Sequence, residues 1–125
     1  MQKSQKIAGA LTVVVLLASG LIAYQWAARQ SATTESETAG LEELVDTGSV
    51  HLEAGEYAEA ISDLEAAVEM DPDNSEVHFL LAQAYNRTDE LLKAADEFRT
   101  VVALDPDNAA AHHNLGVTYF QLQDP

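Results

Sequence analysis

The hydrophobic positions of this chain fall into three regimes. From Ile7 to Ala28 there are 22 consecutive residues without a charge, centred on IAGALTVVVLLASGLIA. At about 1.5 Å per residue such a helix matches the roughly 30 Å hydrocarbon layer of a bilayer. Residues 29–40 are small, polar and acidic without apolar period, the composition of a segment that buries too little to order itself, and they read as a flexible acidic linker. From Leu41 onward apolar residues recur at steps of three and four. Leu41, Leu44, Val45, Gly48 and Leu52 form one stripe, and Tyr57, Ala60, Ile61, Leu64, Ala67 and Val68 form the next. This period predicts an all-α region with helices over 41–54, 57–70, 75–87, 91–104 and 109–122.

The region repeats itself. MDPDN at Met70 to Asn74 returns as LDPDN at Leu104 to Asn108, an offset of 34. The same offset relates Gly48, Ala82 and Gly116; His51, Tyr85 and Tyr119; Ala60 and Ala94; Leu64 and Phe98. Self-similarity at this period is the mark of stacked supersecondary units. Gly55 ends the first helix of unit one, because glycine takes the left-handed backbone without penalty; Asp89 stands at the matching break. Pro72 and Pro106 stop the second helices, and neighbouring Asp and Asn side chains are placed to cap the next ones. Gly48 and Ala82 are expected to face Ala60 and Ala94, so that the paired backbones approach closely.

These residues resemble the tetratricopeptide repeats. Residues 41–74 and 75–108 follow the pattern of complete repeats, and 109–122 that of a first helix only, so the resemblance covers 82 of 125 residues. Leu44, His78 and His112 stand where the family often has Trp, and Leu91 replaces the aromatic present as Tyr57. The resemblance implies an α-solenoid of helical hairpins whose first helices line an inner wall that binds a protein or peptide. Carried over by position, that wall is Val45, Ser49, Leu52 and Glu53; Phe79, Gln83, Asn86 and Arg87; His113, Val117, Phe120 and Gln121. Val45, Leu52, Phe79, Val117 and Phe120 are expected to be spare to the core and to form an apolar recognition patch. The positions of the family's cationic carboxylate clamp read Val45, Ser49, Leu80, Ala110 and Asn114, so that clamp is missing. The third unit breaks off after one helix, which leaves Leu115, Gly116 and Tyr119 facing an absent second helix; the expectation is a fragment of a longer protein, the alternatives being a last helix that serves as an imperfect cap and self-association that covers it.

Charge adds topology. The first 30 residues carry Lys3, Lys6 and Arg29 and no acid, while the remaining 95 hold three bases against 21 acids, a net of −18. Such a field repels phosphate backbones and disfavours nucleic-acid binding. Lys3 and Lys6 before the apolar span, with aromatic Tyr24 and Trp26 at its far edge, predict residues 1–6 in the cytoplasm, 7–28 as a transmembrane signal-anchor, and the repeats on the extracytoplasmic face. A cleavable export signal cut near Ala18-Ser19-Gly20 has the same layout and the same outcome for compartment.

Enzyme chemistry finds no foothold. The chain has no cysteine. His112 and His113 are adjacent and point about 100° apart, wrong for one shared metal. His51, His78 and His112 are expected to be partly buried packing residues. No nucleophile triad, phosphate loop or HExxH pattern occurs, and no cofactor or metal is expected. The expected function is a non-enzymatic, membrane-anchored scaffold for a protein or peptide partner. The alternatives are the targeting arm of a larger enzyme and a self-assembling membrane subunit.

Overall fold

A computed structural model describes the backbone of residues 2–123 and the side chains of residues 23–29 and 35–123. Five helices follow one another: α1 (Gln2–Ala54), α2 (Tyr57–Met70), α3 (Ser75–Arg87), α4 (Leu91–Leu104) and α5 (Ala109–Gln123). The chain divides into two compact units, Met1–Thr38 and Ala39–Pro125. In the first, the described side chains 23–29 are exposed, Tyr24 and Trp26 among them. Among the described residues no helix is long and apolar enough to cross a membrane; most of the expected span, residues 7–22, lies outside the described side chains.

Residues 29–40, expected to be an unstructured linker, are helical within α1. Starting a helix is costly and extending it is not, and Ala, Gln and Glu are good helix formers, so the turn begun at Leu41 propagates backward through them. Thr38 Oγ1 donates to the Glu35 carbonyl at 3.0 Å.

The second unit is built from helical hairpins. Their tips are two copies of one turn. Gly55 has φ 81° and Asp89 φ 64°. At the first tip the Glu56 amide donates to the His51 carbonyl at 2.8 Å and the Gly55 amide to Leu52 at 3.3 Å. At the second, Glu90 donates to Tyr85 at 2.9 Å and Asp89 to Asn86 at 3.3 Å. This double closure satisfies carbonyls that a helix end leaves open. At the other ends Asn74 Oδ1 accepts from the Val77 amide (3.3 Å) and Asn108 Oδ1 from the Ala111 amide (3.0 Å).

The core is a contiguous cluster of Leu64, Ala67, Val77, Leu81, Ala82, Tyr85, Ala94 and Phe98. Ala60, Ala94 and Ala67 are wholly buried, and the notch at Gly48 receives Leu64: a Cβ built there would lie 2.8 Å from Leu64 Cγ and 2.9 Å from Cδ2. The small residue makes room for a branched knob on the partner helix. Tyr85 donates to Glu65 Oε1 at 2.5 Å, and Phe79 packs edge-on against Phe98 with centroids 5.7 Å apart.

The histidines serve as ties more than as packing. His78 is buried; its Nε2 donates to the Pro72 carbonyl at 2.6 Å and its Nδ1 lies 2.5 Å from Glu97 Oε2, joining the inter-repeat loop, α3 and α4. His112 Nε2 donates likewise to Pro106 at 2.7 Å, yet His112 is exposed, not partly buried as expected, because among the described residues no helix follows α5 to pack on it as α4 packs on α3. His51 is half-buried, its Nδ1 2.7 Å from Glu56 Oε2. Among the described residues no group of three or more His, Asp or Glu could hold a metal ion.

Candidate functional site: an amide-lined groove

Side chains from all five helices converge on an open groove of about 780 Å³, lined by Leu52, Glu53, Tyr57, Gln83, Asn86, Arg87, Phe98, Asn114 and Gln121. Of the expected wall, the groove gathers Leu52, Glu53, Gln83, Asn86, Arg87 and Gln121. The 34-residue period explains this, since Leu52 and Asn86, and Glu53, Arg87 and Gln121, are matching positions on successive first helices.

The remaining wall residues are placed elsewhere. Val45 and Phe79 pack against the core, so they are not the spare apolar positions expected. Each borders both the inner wall and the crevice between hairpins, and the crevice claims it. Ser49 is half-buried, and His113, Val117 and Phe120 are exposed outside the groove. The expected apolar centre is therefore replaced by a polar lining: four side-chain amides, one carboxylate and one guanidinium, with Leu52 and Tyr57 as apolar walls. Phe98 is wholly buried and backs the floor from beneath.

Tyr57 and Phe98 were not expected in the groove, and Asn114 was expected only as one position of the missing carboxylate clamp. Tyr57 and Phe98 belong to second helices, which the positional rule for the wall omits. Asn114 lies seven residues before Gln121, two helical turns on the same face of α5, a spacing that would have found it.

An amide side chain offers both a donor and an acceptor, the complement of a peptide main chain. Gln83, Asn86, Asn114 and Gln121 can thus pair with an extended backbone whatever its side chains. Arg87, exposed at the end of α3, offers the one positive charge in the groove. At the tip below, Lys93 pairs with Glu90 at 2.7 Å and sits 5.3 Å from the Tyr85 ring centre. The Lys93 hydrogen bond holds the Glu90 carboxyl below its usual range, and the same bond raises Lys93. Burial, then the bond to Glu65 and the charges of Glu65, Glu97 and Glu90, push the Tyr85 hydroxyl well above the ordinary tyrosine range.

Comparison with known proteins yields a family and a set of structures. The family model described as "Tetratricopeptide repeat" matches residues 45–109 and again 90–125. Similar solved structures include a crystal structure of MamA (27% identity, TM-score 0.65, covering 67% of this chain and 49% of that one). A MamA RS-1 double mutant shares 28% identity at TM-score 0.65, covering 67% of this chain and 47% of that one. MamA 41-end from Desulfovibrio magneticus RS-1 shares 30% at TM-score 0.63, covering 65% and 46%. This chain spans about half the length of these structures. No curated protein matches it.

Proposed function

The chain belongs to the tetratricopeptide repeat family, and on that premise we propose that residues 39–123 are a docking module for an extended peptide segment of a partner protein. The observation that carries the reading is the convergence of Gln83, Asn86, Asn114 and Gln121 with Arg87 on one groove. The amides hold the peptide main chain, and Arg87 meets one carboxylate. With no second cation beside it, a ligand's C-terminal carboxylate is met once rather than clamped. The role is that of a scaffold, without chemistry of its own.

The likeness to MamA structures supports the scaffold reading at the level of fold. Capturing partners from native membranes with the parent chain and with an Asn86→Ala, Arg87→Glu variant tests the groove. The variant should lose a defined partner. Identical partner sets would defeat the proposal.

The second part of the reading concerns placement. The uncharged stretch 7–28, with Lys3 and Lys6 before it and Tyr24 and Trp26 at its far edge, supports a single-pass anchor that holds the repeats on the extracytoplasmic face. The full chain should resist alkaline carbonate extraction, and its repeats should be digested by protease added outside spheroplasts. Release by carbonate, or protection from protease, would overturn the topology.

A further inference from the structure

The polar side chains of the groove are set apart by what they leave unbonded. Elsewhere in the repeats His78, Tyr85, Asn74 and Asn108 are tied into the fold by side-chain hydrogen bonds. Among the described residues the side chains of Gln83, Asn86, Asn114 and Gln121 form none, and the exposed Glu53 and Arg87 form no ion pair. Residues 39–123 hold three Lys or Arg. Lys93 is paired with Glu90 and Arg99 with Asp96, while Arg87 stays open in a strongly acidic region.

The two open charges are also ordered. Glu53, Arg87 and Gln121 occupy one repeat position on α1, α3 and α5, so the groove presents a row that reads negative, positive, neutral. Successive helices of a packed stack stand about 8–10 Å apart. A β-strand returns to the same face after two residues, about 6.7 Å, or after four, about 13 Å, and matches that spacing neither way. A polyproline II helix returns after three residues, about 9.3 Å. It makes no internal hydrogen bonds, which leaves its main-chain groups to the four groove amides.

We infer that the groove selects a polyproline II segment of a partner protein that carries a Lys or Arg for Glu53 and, three residues away, an Asp or Glu for Arg87. This charge rule rests on the groove being the docking site proposed above. The acid is the selective half of the match. The acidic surroundings attract any base, whereas Arg87 is the groove's single cation. Within residues 1–125 a base and an acid stand three apart only between Arg87 and Arg99, inside α3, α4 and the tip that joins them. A second copy would have to unfold to supply that spacing, so the row is matched to a partner and not to the chain itself.

The test titrates the full chain, in nonionic detergent at low ionic strength, into fluorescein-labelled Ala/Pro peptides that hold the polyproline II form. One carries Lys and Glu three apart, one has the same composition with Lys and Glu two apart, and one carries two Glu three apart. Anisotropy should show saturable binding of the first and roughly fivefold weaker binding of the second, whose charges point to different sides and so lose one exposed ion pair. The parent should prefer the Lys/Glu peptide over the Glu/Glu peptide by about tenfold, attraction at Glu53 being exchanged for repulsion. Glu53→Arg, at an exposed position, should leave circular dichroism unchanged and reverse that preference. Equal affinity for the two spacings, or a preference that Glu53→Arg leaves in place, overturns the charge rule, and the groove reading survives it where Asn86→Ala still weakens binding. Binding that neither Asn86→Ala nor Glu53→Arg alters overturns both. Absence of saturable binding by every peptide overturns the charge rule alone, provided partner capture still responds to the Asn86→Ala, Arg87→Glu variant.

Discussion

At the residue scale, the repeat position occupied by Gly48, Ala82 and Gly116 shows how one sequence signal carries opposite energies. Glycine within a helix costs about 0.5–1 kcal/mol relative to alanine. At Gly116, where an added methyl meets nothing within 4 Å, Gly116→Ala should recover that amount. At Gly48 the methyl would press on the branch carbon of wholly buried Leu64, and overpacking of about 1–3 kcal/mol outweighs the helix gain. Thermal melts of the two variants should shift in opposite directions. A common direction would show that intrinsic propensity, not the notch, governs the position. Asp89 offers a second residue-scale case. Its φ of 64° is strained for an L side chain by roughly 1–2 kcal/mol, partly offset because Asp tolerates this region and glycine loses more entropy on folding. Asp89→Gly should stabilise the chain by about 0.5–1 kcal/mol in urea unfolding, and a loss would mean that the Asp side chain holds the tip.

At the scale of elements, pairing of helices depends on groups that reach across. Tyr85 on α3 donates to Glu65 on α2 and lies among the carboxylates of Glu65, Glu97 and Glu90. Its proton is held more tightly in the folded chain than in the unfolded one. The resulting stability is therefore complete below the ordinary tyrosine value of about 10 and is lost as pH rises beyond it. Tyr85→Phe removes that alkaline loss, so its unfolding midpoint, followed by far-ultraviolet circular dichroism against pH, should lie higher than the parent's. Coincident midpoints would show that other groups drive alkaline unfolding. The helix boundaries were largely legible because their causes are local. Gly55, Asp89, Pro72 and Pro106 act through their own backbones, and α2, α3 and α4 have the expected limits. The course of α1 through residues 29–40 was not legible, because composition reports how little a segment buries and says nothing of a helix already begun beside it.

For the molecule as a whole, the dominant long-range term is charge. A net of −18 over the last 95 residues repels itself more in the compact state than in the unfolded chain. Added sodium chloride screens this, with a Debye length that falls from about 30 Å at 0.01 M to about 3 Å at 1 M. The melting temperature should climb over that range, most steeply at its low end. A flat profile would place the acids where they do not oppose folding. The groove was half legible at this scale. Positional matching found Leu52, Gln83, Asn86 and Arg87, since successive first helices present equivalent residues to one side. It assigned Val45 and Phe79 to the same surface, although the core holds them.

The order of helices, the 34-residue period and the turn positions were determined by the sequence alone, because φ preferences, missing amide protons and apolar spacing act over a few residues. Tertiary structure alone decided which small residue receives which knob and which wall residues the core takes. Those outcomes depend on the distance between helices, and no local property of the chain encodes that distance.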